Sequence, residues 1–213
     1  VTYDPTADDH YYLGYRLDPS RAFDLDRSHD LVGTDRGAIV LGARRRIDDT
    51  VSAYAENNYD LFGRRRSLAQ TYGVVYTPDA LWTLDAGFEA GIIRDDTIDP
   101  ATGLQRPDFR RYSGSLALGY NNEEEGINAR IRGEGRFESG DDGSRDRNTY
   151  LFAAGMSWKT SEDWRLLANV DAVVSKADAG AFHDGDYVEA SIGYAYRPVD
   201  NNRLNALFKY TFL

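Results

Sequence analysis

Apolar and polar residues alternate with a period of two along most of the chain. The clearest segment runs from Trp82 to Ile92. Trp82, Leu84, Ala86, Phe88, Ala90 and Ile92 share one side, and Thr83, Asp85, Gly87, Glu89 and Gly91 take the other. Ile127, Ala129, Ile131, Gly133, Gly135 and Phe137 alternate in the same way with Asn128, Arg130, Arg132, Glu134 and Arg136. Near the end, Leu204, Ala206, Phe208, Tyr210 and Phe212 alternate with Arg203, Asn205, Leu207, Lys209 and Thr211. A helix would scatter such residues around its circumference, whereas a strand sorts them onto two faces. The periodicity predicts eleven strands, over 9–18, 36–47, 50–60, 68–77, 80–94, 109–121, 125–138, 148–159, 163–176, 186–197 and 203–213. The prolines, at 5, 19, 78, 100, 107 and 198, fall outside these segments or at their margins, because proline has no N–H to give to a sheet.

The intervening segments predict an up-and-down order. Asp48-Asp49, Pro78-Asp79, Asn122 to Glu124, Thr160 to Glu162 and Pro198 to Asn202 are short, while 19–35, 61–67, 95–108, 139–147 and 177–185 are long. Strict alternation puts every short turn at one end of an antiparallel meander and every long loop at the other. Outer-membrane barrels have this layout. Aromatic residues mark the two ends. Tyr76, Trp82, Tyr120, Trp158, Trp164 and Tyr196 stand on the apolar faces beside the short turns, as a girdle at a membrane interface would. Tyr112, Phe137, Tyr150 and Phe212 form a sparser belt at the other end.

Alternation alone does not say which face meets water. A β-sandwich ligand-binding domain would bury the apolar face, and a membrane barrel would turn it toward lipid. The predicted strands run about 10–14 residues, against about 5–6 in ordinary globular sheets. A ten-residue strand tilted near 40° spans about 25 Å, the height of a lipid-facing band. The expected fold is therefore all-β: an antiparallel transmembrane barrel occupying 1–213 as a single domain, located in the outer membrane of a Gram-negative cell. With short turns on the periplasmic side, an odd strand count ends the chain on the external side, whereas complete bacterial barrels have even counts and return to the periplasm. Together with the abrupt start at Val1-Thr2-Tyr3-Asp4-Pro5, this predicts a fragment of a larger barrel, lacking at least one C-terminal strand.

Composition at first points elsewhere. The chain has 213 residues, 25 Lys+Arg against 35 Asp+Glu, and a net charge of −10. Its mean hydropathy is −0.58. The acidic balance argues against a nucleic-acid partner, which needs a basic face for phosphates. No cysteine is present, which excludes disulfides and thiolate metal sites. The low hydropathy has another source in a barrel, where only every second strand residue needs to face lipid.

The segments DRNTYLFAAGMSWKTSEDWRLLANVDAVVS (146–175), DGDYVEASIGYAYRPVDNNRLNALFKYTF (184–212) and RRRIDDTVSAYAENNYDLFGRRRSLAQTYGVVYTP (44–78) resemble the C-terminal barrel region of large multidomain outer-membrane proteins of alphaproteobacteria. The resemblance covers nearly the whole chain. It implies a barrel that continues beyond Leu213, long extracytoplasmic domains ahead of it, and a role as membrane anchor. It supplies no catalytic residues. Leu207 to Phe212 also resembles the closing-strand signal read by the barrel-assembly machinery.

The candidate chemistry is sparse. Asp85, Glu89, Arg130, Arg132, Glu134, Arg136, Arg165, Asp171, Glu189 and Lys209 fall on the polar faces. They form either the lining of a passive pore or receptor barrel or a mutually neutralising network in a filled one; their mixed signs favour the network. Arg64, Arg65 and Arg66 lie in a long segment, where guanidinium groups could meet lipopolysaccharide phosphates. Arg44, Arg45 and Arg46 lie at a short turn, and Arg45 is in phase with the apolar residues. At the bilayer midplane this would cost about 2–4 kcal/mol, and much less near the interface. Gly140-Asp141-Asp142-Gly143 and 178–186 are acidic, but neither has calcium-loop spacing. His10, His29 and His183 complete no catalytic set, and no G-x-S-x-G elbow occurs. Neither an enzyme nor a cofactor is expected.

Overall fold

The computed structural model describes residues 1–17, 37–60, 65–98, 103–177, 185–198 and 205–213. They form one antiparallel sheet of twelve strands, each hydrogen-bonded to its neighbours in chain order. The strands are β1 (Thr2–Tyr3), β2 (Asp9–Leu17), β3 (Gly37–Arg46), β4 (Val51–Asp60), β5 (Arg65–Tyr76), β6 (Trp82–Asp95), β7 (Phe109–Asn122), β8 (Ile127–Gly140), β9 (Arg147–Lys159), β10 (Trp164–Ala177), β11 (Gly185–Tyr196) and β12 (Ala206–Phe212). The two outer strands, β1 and β12, do not pair with each other, so the sheet is open.

Eleven of these strands are those that the alternation predicts. The twelfth is β1, which pairs through only Thr2↔Tyr12 and Tyr3↔Tyr11 and is too short to show a period. Strict alternation of short and long connections does not hold. Only 61–64 separate β4 from β5, because β5 begins at Arg65 and pairs with β6 out to Asp95. Conversely, 197–205 separate β11 from β12. The up-and-down order survives because it depends on chain-order pairing and not on loop length.

Register assigns the faces. Trp82, Leu84, Ala86 and Phe88 stand opposite Tyr120, Leu118, Leu116 and Gly114. Ile131 continues that row to Ala154 and then Val170. This apolar face is exposed: Leu116 is 61 % and Ile192 is 54 % accessible. The polar face holds the buried charges, with Asp60, Asp95 and Glu138 between 3 and 7 % accessible. No second layer covers the apolar side among the described residues. That is the reverse of a sandwich, and it makes the polar face the inner side of a curling wall.

Two inner tyrosines show how the wall is tied. The ring of Tyr12 occupies the space above Gly42, and its hydroxyl donates to Glu56 Oε2 at 2.6 Å on the strand beyond. The ring of Tyr54 lies over Gly73 in the same way, with its hydroxyl at Asp85 on β6. Each tyrosine links three strands, and each glycine is the only residue small enough to lie beneath the ring. The short turns are held locally. Asp48 accepts the N–H groups of Thr50 and Val51 at 2.7 and 2.8 Å and the Thr50 hydroxyl at 2.8 Å. Asp79 does the same for Leu81 and Trp82. Gly126 closes the β7–β8 turn at φ +66°, a conformation that disfavours side chains.

The chain with Gly73→Val should lose about 1–3 kcal/mol of stability, the usual cost of overpacking, because Tyr54 must leave its seat; urea unfolding in lipid vesicles, followed by tryptophan fluorescence, measures this. The Thr50 and Val51 donors hold the Asp48 carboxyl below its ordinary proton affinity. Its contribution is therefore complete above the usual carboxylate range and fades as pH falls through it. Unfolding curves of the parent and Asp48→Ala should differ near neutral pH and converge in acid.

Candidate functional site

The functional features are the two faces of the wall and the loop cluster at one end. On the inner face, the period-two pattern brings Asp85, Glu89, Arg130, Arg132, Glu134, Arg136, Arg165, Asp171, Glu189 and Lys209 to one side, as their positions in register require. Arg132 and Arg136 clasp Glu134 from either side, each at 2.9 Å. Arg111 donates to Glu89 Oε1 through Nε and Nη2 at 2.9 and 2.8 Å. Tyr187 donates to Glu189, which faces Asp171 across β10 and β11. Arg130, Arg165, Asp171 and Lys209 make no ion pair among the described residues. Arg111, Tyr12, Tyr54 and Glu56 also belong to this face. Their phase along the strand marks them for it, but the Arg110-Arg111 doublet obscures which arginine points inward.

At the end of the sheet bearing 96–108 and 141–146, a cluster joins two loops. Asp95 is 3 % accessible. Arg145 Nη2 donates to Asp95 Oδ2 at 2.6 Å, and the Arg145 guanidinium lies 5.3 Å over the Phe109 ring. Asp95 also accepts from Thr97, and its own N–H donates to Asp108 at 3.0 Å. Beside them, Arg147 donates to Glu138, and Asp146 accepts from the N–H of Gly140 at 2.9 Å. Asp142 accepts from Ser144, whose hydroxyl and N–H hold its carboxyl below the usual range. Asp142 thus organises the turn after β8. Among the described residues no three His, Cys, Asp or Glu gather as a metal site.

On the outer face, the girdle residues Tyr76, Trp82, Tyr120, Trp158, Trp164 and Tyr196 all stand at the short-turn end. Trp82 packs on Tyr120 at 4.8 Å between ring centroids, and Trp164 lies 4.8 Å from Tyr196. Tyr194 joins them, stacked on Trp164 at 4.6 Å. In the sparser belt, Phe137 meets Tyr150 edge-on at 6.0 Å and stands opposite Tyr112. Phe212 pairs with Ala190, in the row of Val170 and Ala154 and not that of Tyr150.

The other singled-out residues divide. Arg66 is ion-paired with Asp96; Arg65 lies at the start of β5, and Arg64 is outside the described residues, as are His29, His183 and 178–184. His10 pairs with Asp4 near the short-turn end. Arg46 meets Asp8 at 2.6 Å, Arg44 reaches Ser52 at 3.5 Å, and Arg45 stands on the apolar face.

Asp95→Ala would remove the buried carboxylate that accepts from both Arg145 Nη2 and the Thr97 N–H. Breaking a buried pair costs about 3–5 kcal/mol. The expected outcome is proteolytic cleavage within 96–108 in the variant, with the strand content by circular dichroism unchanged.

No protein-family model matches the chain, and no curated protein is significantly similar in sequence. Solved structures are similar in shape. OmpT of Vibrio cholerae shares 14% identity at a TM-score of 0.61, over 97% of this chain and 67% of that one. A loop L8 deletion mutant of the same protein matches with 14% identity and a TM-score of 0.61, over 97% and 70%. With its chain-order pairing and inverted polarity, the chain has the all-β, up-and-down antiparallel fold of the outer-membrane β-barrels.

Proposed function

We propose that this chain is the lipid-facing wall of an outer-membrane β-barrel whose main role is to anchor larger extracytoplasmic domains. One observation carries the reading: the large apolar side chains are exposed between two aromatic levels, while carboxylates are buried on the opposite face. In water that arrangement loses hydrophobic stabilisation on one side and desolvates charge on the other. In a bilayer the first cost disappears, and the second is offset on the inner face by ion pairs such as Arg145–Asp95 and Arg147–Glu138. Open edges at β1 and β12 would leave backbone groups unpaired in hydrocarbon at several kcal/mol each, so the reading includes further strands that close the ring. The barrel-assembly machinery would fold it, and lipopolysaccharide phosphates would meet Arg66 at the rim opposite the short turns.

Anchoring is favoured over conduction by the way inner charges are tied to one another sideways, as where Arg132 and Arg136 share Glu134 and Arg111 holds Glu89. A passive pore or receptor-type barrel is the second reading, favoured by Arg130, Asp171 and Lys209, which line the same face without ion-pair partners among the described residues. Neither reading uses catalytic groups or a cofactor.

Planar-bilayer recording on the intact protein separates the two. The anchor predicts a membrane without stable ohmic steps, and reproducible unitary steps would establish the pore. Gel mobility in cold detergent that shifts on boiling is expected in both cases; its absence would count against the membrane barrel itself.

A further inference from the structure

On the outer face, β3 to β6 carry an interruption in the belt of bulky side chains. Register aligns Ala43, Ala55, Tyr72 and Phe88 in one row and Arg45, Ala53, Val74 and Ala86 in the next, toward the short turns. Four of these eight positions are alanine. The result is a shallow groove of about 630 Å³ with an alanine floor, bordered by the exposed rings of Tyr72 and Phe88. Arg45 stands at its short-turn side and is 73 % accessible.

That arginine needs an explanation. A lipid-facing guanidinium is unfavourable unless it reaches the headgroup layer or an anion. Its ion-pair partner among the described residues is Asp9, reached through Nε at 3.6 Å. Asp9 is itself engaged by the Thr6 hydroxyl at 2.8 Å. This long, single-nitrogen contact leaves the two terminal nitrogens of Arg45 uncommitted. Their planar fork matches two oxygens of a phosphate.

We propose that the groove is a binding site for one anionic phospholipid of the leaflet at the short-turn side. The phosphate diester would sit on Arg45, and one acyl chain would lie along Ala53, Ala55 and Ala43 against Tyr72 and Phe88. Charge complementarity selects this occupant. A neutral lipid chain fills the trough equally well but gives the arginine a phosphate whose charge is already balanced by its own ammonium. A second copy of the chain would bring the same uncompensated cation to the contact. The inference rests on the membrane reading above and adds a specific lipid to it.

The test is native mass spectrometry of the intact protein, folded in detergent micelles and supplied with equal amounts of dioleoyl phosphatidylglycerol and dioleoyl phosphatidylcholine. The parent should retain one phosphatidylglycerol about tenfold over phosphatidylcholine, the scale of a charge-assisted hydrogen-bonded pair. Arg45→Gln should abolish the preference. Ala55→Trp, which fills the floor, should reduce retention of both lipids several-fold. Equal retention by the parent, or a preference that survives in Arg45→Gln, overturns the site. Dimers that vanish in Ala55→Trp without any lipid adduct would assign the groove to a second copy and also overturn it. If Ala55→Trp does not fold, Arg45→Gln decides alone. Failure of the membrane reading appears separately, as a parent chain that stays folded and monodisperse without detergent.

Discussion

Everything in this molecule depends on an unbroken ladder of backbone hydrogen bonds. Hydrocarbon offers no partner to a free N–H or C=O, so a membrane-spanning sheet must pair every strand with its neighbours. The twelve strands do so in chain order, from β1 to β12. The period of two follows from that ladder, because successive side chains alternate between lipid and lumen. Register follows as well: sliding β8 by one residue would move Arg130, Arg132, Glu134 and Arg136 together into the lipid-facing row.

The inner face handles the charge that this alternation concentrates there. Carboxylates and guanidinium groups are tied along and across strands, as in Arg132–Glu134–Arg136 and Arg111–Glu89. Tyrosines laid over Gly42 and Gly73 carry hydrogen bonds past one strand to the next. These contacts also stiffen the wall against shear, because each spans three strands. At the loop end, Arg145 and Asp95 join segments 50 positions apart, so the 141–146 turn is tied to the end of β6.

The outer face is almost featureless chemically, so its few departures carry information. The tryptophan and tyrosine pairs at the short-turn end mark one interface. The alanine floor and Arg45 break the belt beside it. A barrel wall held only by a uniform apolar band would slide and tilt freely in the bilayer. Aromatic rings that suit the headgroup layer oppose that sliding.

Much of this was legible in the residues themselves. The segment Trp82–Ile92 alternates so regularly that its faces follow without a structure, and the same holds for Ile127–Phe137. The girdle at Trp82, Tyr120, Trp158 and Trp164 follows from phase and distance to the turns. The two-residue β1 was not legible, because one pair of positions has no period. Nor was the brevity of the 61–64 connection, since the start of β5 is set by its pairing with β6. Which charges meet was hidden too. Arg145 and Asp95 are distant in sequence, and Arg111 finds Glu89 only once β6 and β7 are in register. Periodicity thus determined the strands and their two faces, because alternation is a property of a single strand, and strand length with the aromatic levels added which face suits lipid. Partners, the open edges, the loop cluster and the groove at Arg45 were decided by the tertiary structure, because they arise only when separate strands are aligned.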